Sequence, residues 1–165
     1  MKTFQNALSS FLFPLSSRKE GFTLIELVIS IALLAIVTIG TLVVLDPAGR
    51  LASARNSQRQ AHLNTILNAI RQNLADNRGT FSCAAGDIPT STKKMATGAG
   101  NFDIYSCIVP TYIFSLPFDP ATSTAHFISA TDYDTGYTVI KASSTGIITL
   151  VAPAAELKKS ISITR

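Results

Sequence analysis

From Phe22 to Leu45 the chain is apolar for about 24 residues, interrupted by one ionisable side chain, Glu26. As a helix that run would measure roughly 36 Å, against about 30 Å for the hydrocarbon core of a bilayer. It is long enough to span a membrane with some tilt. A carboxylate inside a spanning helix costs roughly 2.5–3.5 kcal/mol on insertion scales, so Glu26 needs a reason to be there. A secretory signal peptide is the first alternative, with an apolar core of about 7–15 residues and a small-residue cleavage site. This run is longer, carries Glu26, and has no such site near its end. A core helix of a soluble protein fits its length poorly.

The residues leading into the run are Arg18-Lys19-Glu20-Gly21-Phe22-Thr23-Leu24-Ile25-Glu26-Leu27. This stretch resembles the processing and methylation signature of type IV pilins and type II secretion pseudopilins. The resemblance covers the N-terminal third closely and the rest in outline. It implies a cytoplasmic leader over residues 1–21 and cleavage by a prepilin peptidase between Gly21 and Phe22, with methylation of the new N-terminus at Phe22. Residues 22–45 would then be the spanning helix and 46–165 an extracytoplasmic head. Arg18 and Lys19 flank the run on one side while Arg50, Arg55 and Arg59 follow it on the other, so basic residues alone do not orient it. The resemblance implies N-in, C-out in the cytoplasmic (inner) membrane, then incorporation into a surface or periplasm-spanning filament. The implied partners are copies of the chain itself, the peptidase, an assembly ATPase, an inner-membrane platform protein and, before assembly, membrane lipid.

Two accounts of Glu26 follow. In one, a carboxylate near a helix start complements the helix dipole or snorkels to the headgroups. In the other, cleavage creates a cationic amine at Phe22, and Glu26 of an adjacent subunit neutralises it. A pair of that kind in a low-dielectric core is favourable only when both partners are present and well placed, so it would set subunit stagger as well as attraction.

Beyond Leu45 the pattern changes. Asp46-Pro47-Ala48-Gly49 interrupts the helical pattern, since proline removes a donor and glycine lowers helix propensity. Residues 53–62 are mostly polar on every face. Leu63, Ile66, Leu67, Ile70 and Leu74 then recur at helical spacing, and Asn77-Arg78-Gly79 supplies a stop. The expectation is an amphipathic helix over 51–77 lying on a sheet. Residues 137–140 and 147–151 read as a β-hairpin; 111–116 and 126–129 are further strand candidates, and 160–164 a short edge. Residues 84–101 and 117–136, rich in Gly, Pro, Ser, Thr and Asp, read as loops. The fold class is α+β: a long N-terminal helix, membrane-spanning below and amphipathic above, packed on a small C-terminal antiparallel sheet.

The chemistry-bearing residues are sparse. Cys83 and Cys107 are the two cysteines, both on the side assigned outside the cytoplasm. They make a poor zinc site without suitably spaced histidines, leaving a disulfide or two buried thiols. His62 and His126 belong to no nucleophile motif, and Gly98-Ala99-Gly100 is too short for a phosphate-binding loop. No catalytic residues and no cofactor are expected. Asp132 and Asp134 alternate before Gly136 and, with Asp119, are calcium-ligand candidates by resemblance to major pseudopilins, although the full calcium-loop pattern is missing and turn chemistry is the alternative. The formal charge of +4 comes from dispersed residues, which argues against a nucleic-acid surface. The reading is a type IV pilin-like structural subunit. A pseudopilin of a secretion or DNA-uptake machine is the nearest alternative, and a single-pass anchored binding module that never polymerises is the alternative from another class.

Overall fold

The computed structural model describes residues 21–165, with the side chains of 42–45 left aside; the expected leader, except Gly21, lies outside the described residues. The elements are α1 (Leu24–Leu45), α2 (Pro47–Asp76), β1 (Lys93–Ala96), α3 (Tyr105–Ile108), β2 (His126–Ser129), β3 (Asp132–Lys141), β4 (Ile148–Ala152) and β5 (Ile161–Thr164). Residues up to Leu45 and residues from Asp46 form separate compact units.

The first unit is built on α1. Its Ile and Val residues are mediocre helix formers in water. In lipid, however, every backbone group must be bonded internally, and a helix does this within one segment. Over Leu24–Thr41 the mean hydropathy is 2.4 and every residue is exposed. The side chains are dressed for a solvent other than water.

The second unit opens with a turn rather than a break. Asp46 is left-handed (φ 38°) and its carboxylate accepts the Gly49 N–H at 3.1 Å, capping α2. Pro47 occupies the first helical turn, where its missing donor costs nothing. A side chain at Gly49 would collide with the Asp46 carboxylate. So α2 starts four residues before the expected 51, and the Pro-Gly stretch begins a helix. At the other end Asn77 caps, Arg78 and Gly79 take positive φ, and the Gly79 N–H reaches the Leu74 carbonyl at 2.7 Å.

Leu63, Ile66, Leu67 and Ile70 of α2 are all buried, packing in one core with Tyr137 and Val139 of β3 and Leu150 and Ala152 of β4. The sheet is antiparallel, in the order β1-β3-β4-β5, with β2 added to β3. Burial alternates along β3 and β4, as expected for a sheet with one covered face. This is the α+β class read from the sequence.

Three local readings need correction. Strand β1 lies within 84–101, expected as loop. Lys93-Lys94-Met95-Ala96 lacks β-branched residues, and its pairing with β3 supplies what its propensity does not. Residues 111–116 form no strand: the Tyr112 and Ile113 N–H groups both turn back onto the Ile108 carbonyl, at 2.9 and 3.1 Å. Strand β3 begins at Asp132, five residues before the expected start. Gly136, at φ 73°, lets it continue past Asp119, whose Cβ would lie 2.9 Å from any Cβ at that position.

Candidate functional site

Gly21, Phe22 and Glu26 fall at the entry to α1. Thr23 is its cap: the Thr23 hydroxyl accepts the Glu26 N–H at 3.2 Å, and the Leu27 N–H donates to the Thr23 carbonyl at 3.1 Å. Thr23 and Glu26 therefore stand at the Ser/Thr and Glu positions of a capping box, and a local reading of the sequence would give Glu26 the task of reaching back to the cap. Phe22 and Glu26 are both exposed.

The other polar side chains of α1 settle their own needs. Ser30 donates to the Glu26 carbonyl at 2.7 Å, Thr38 to the Leu34 carbonyl at 2.7 Å, and Thr41 to the Thr38 carbonyl at 2.8 Å. Such back-bonding makes a hydroxyl tolerable in hydrocarbon. Among the described residues, only the Glu26 carboxylate is left on α1 with no partner, although its own backbone is fully used. In an apolar medium an unpartnered carboxylate is tolerated only opposite a cation or a hydrogen-bond donor.

The head carries a second, different concentration of charge. Arg59 is 1% exposed at its side chain and holds Asp119 with two hydrogen bonds, 2.7 and 3.1 Å. It also donates to Glu156 at 2.8 Å and to Asn56 at 2.9 Å. Arg55 grips Glu156 at 2.6 and 2.8 Å, while Asn56 exchanges two bonds with the Glu156 backbone. Glu156 is held down to about 2 by the hydrogen bonds from Arg55 and Arg59. Burial alone would raise Asp119, but Arg59 and the Ala121 and Thr122 N–H groups bring it below the usual carboxylate range. The network ties α2 to loops 60 and about 100 residues away. Its helical members, Arg55, Asn56 and Arg59, sit in the stretch 53–62 that reads as polar on every face; no local signal marks Asn56 or Arg59 as buried, because their partners arrive only through the tertiary fold.

Cys83 and Cys107 are bridged, with Cα atoms 4.8 Å apart. Buried Asn73 braces both ends, donating to the Cys107 and Ser82 carbonyls at 2.9 and 3.0 Å and accepting the Ser82 N–H at 2.8 Å. The calcium candidates are not brought together. Asp119 faces Arg59, Asp132 faces His126 at 3.1 Å, and Asp134 faces Lys94 at 2.9 Å. Among the described residues no group of three or more His, Cys, Asp or Glu converges. His62 shares a 2.9 Å hydrogen bond with Tyr137, and burial lowers its pKa.

Residues 16–42 match the family described as the prokaryotic N-terminal methylation motif, the signature of type IV pilins and pseudopilins. No curated protein and no solved structure matches the chain. The motif and the one long apolar helix among the described residues together fit a membrane-anchored protein of the prepilin kind.

Proposed function

We propose that the chain is a prepilin: a structural subunit cut after Gly21, N-methylated at Phe22, held in the cytoplasmic membrane by α1 with its head outside, and polymerised into a pilus-like filament. The observation that carries this reading is the Glu26 carboxylate. Inside the matched motif it alone among the polar side chains of α1 has no partner within the described residues. Processing supplies the missing cation, the amine of Phe22. The two cannot be chosen freely: in an apolar core each charge is tolerable only opposite the other. A neighbouring subunit whose Phe22 amine meets Glu26 thereby fixes both the contact and the axial stagger.

The exposed apolar surface of α1 serves twice, first against lipid and then against the α1 helices of other subunits. The peptidase, the assembly ATPase and the platform protein act on this subunit, which itself performs no reaction. Pilus and pseudopilus share all these steps, and electron microscopy of the cell surface separates them. Mass spectrometry of protein from the native host tests the processing step. The reading requires an N-terminus at Phe22 carrying one methyl group. A mature chain beginning beyond Thr38 would replace it with a cleaved signal peptide.

A further inference from the structure

Residues Glu156 to Lys159 form a turn closed by the Lys159 N–H on the Glu156 carbonyl at 3.2 Å. Its two central residues, Leu157 and Lys158, both have positive φ, 59° and 55°. Two successive left-handed residues are the signature of a type I′ turn, for which Asn-Gly is the favoured pair. Leucine and lysine are poor choices for that backbone, and neither side chain is used inside the fold: Leu157 is 51% exposed, and Lys158 and Lys159 are exposed beside it. Strain of this kind persists only where the surroundings over-determine it. Here they do, because Arg55, Asn56 and Arg59 hold Glu156 from three directions. The fold thus clamps the base of a turn whose strained tip displays one apolar and two cationic side chains.

The place of that tip in the chain indicates what it meets. Arg55 lies nine residues after Asp46, about 14 Å along α2 at 1.5 Å per residue, and α1 ends immediately before Asp46. Exposed Leu51 lies one turn before Arg55 on the same helix face. An apolar residue followed by two lysines, held to the early turns of a helix that directly follows the apolar segment in sequence, has the composition of an interfacial anchor. We propose that the turn 156–159 is a docking foot by which the head of the unassembled subunit rests on anionic lipid headgroups: Leu157 enters the interface, and Lys158 and Lys159 pair with lipid phosphates. This rests on the reading of α1 as a membrane anchor. Docking holds the head near the bilayer until assembly lifts it away.

The chain has no tryptophan, so Leu157→Trp gives a single reporter. The full chain carrying it is placed in vesicles of phosphatidylcholine with phosphatidylglycerol, with brominated acyl chains as quencher, and insertion of α1 is verified separately by carbonate extraction. Ala84→Trp, beside the disulfide near the far end of α2, is the control. Docking predicts quenching of the Leu157→Trp reporter, none of the Ala84→Trp control, and weaker quenching in pure phosphatidylcholine. Adding Lys158→Gln and Lys159→Gln should lower the docked-to-free ratio about fivefold per lysine. Leu157→Asn with Lys158→Gly should leave the urea midpoint of the head unchanged or higher, since the turn then receives its preferred residues. Inserted protein whose Leu157→Trp reporter is as accessible to aqueous iodide as the Ala84→Trp control overturns the foot while leaving the anchor intact. Quenching that vanishes at one chain per vesicle assigns the face to a second copy instead, and a lowered midpoint for the Asn-Gly variant removes the strain argument. Failure of extraction resistance overturns the anchor, and the foot with it.

Discussion

Arg59 and Asp119 meet through two hydrogen bonds at side chains 1% and 0% exposed, joining the polar half of α2 to a loop 60 residues away. Removing Arg59 leaves the buried Asp119 carboxylate without a cation. Arg59→Met should therefore destabilise the head by about 3–5 kcal/mol. The double variant Arg59→Met with Asp119→Leu should recover only part of this, because the Ala121 and Thr122 N–H groups lose their acceptor. Urea unfolding of the detergent-solubilised chain measures both.

Acid should weaken the head in two stages. The pKa of His62 is lowered by burial below its usual 6.5, so its neutral form is favoured by folding and stability declines as pH falls below about 6.5. Glu156 moves from 4.5 in the unfolded chain to about 2 in the folded one, so its contribution is complete above about 4.5 and lost as pH falls through about 2. Asp119, also lowered, acts in the same direction. Urea midpoints followed from pH 7 to pH 2 should show both limbs, and Glu156→Gln should flatten the lower one.

The bridge between Cys83 and Cys107 closes a 24-residue separation. Cys83→Ser with Cys107→Ser should cost about 3 kcal/mol on the chain-entropy account. Asn73 holds the two segments whether or not the bond is present, so the serine variant should keep its sheet by circular dichroism. Alkylation of unreduced native protein should find no free thiol, and two alkylated cysteines would contradict the bridge.

What the sequence disclosed and what it concealed divide along one line. Apolar residues announce their environment: the α1 run by its length, the stripe from Leu63 to Ile70 by its helical spacing, and residues 137–140 and 147–151 by their β-branched and aromatic side chains. Arg59, Asn56 and Asp119 were not legible, because a polar residue is buried only when a distant partner makes that tolerable. Strand β1 was hidden for a related reason, since Lys93-Lys94-Met95-Ala96 becomes a strand only beside β3. At the candidate site the motif residues Gly21, Phe22 and Glu26 stood out in sequence. What the structure adds is that Thr23 caps the helix through the Glu26 N–H, and that Ser30, Thr38 and Thr41 bond to the backbone of their own helix.

The central claim is that Glu26 exists to meet the Phe22 amine of another subunit, and Glu26→Ala tests it directly. The Thr23 cap uses the Glu26 backbone, so the variant keeps its helix start, and losing an intramembrane charge should leave insertion equal or better. Each assembled subunit would then bury an amine without its partner, at about 3–5 kcal/mol per contact. The measurement is sheared surface filament against membrane-pool subunit in cells expressing the variant. The account predicts a normal pool and no filament; wild-type filament from Glu26→Ala would contradict it and return Glu26 to a dipole or snorkelling role.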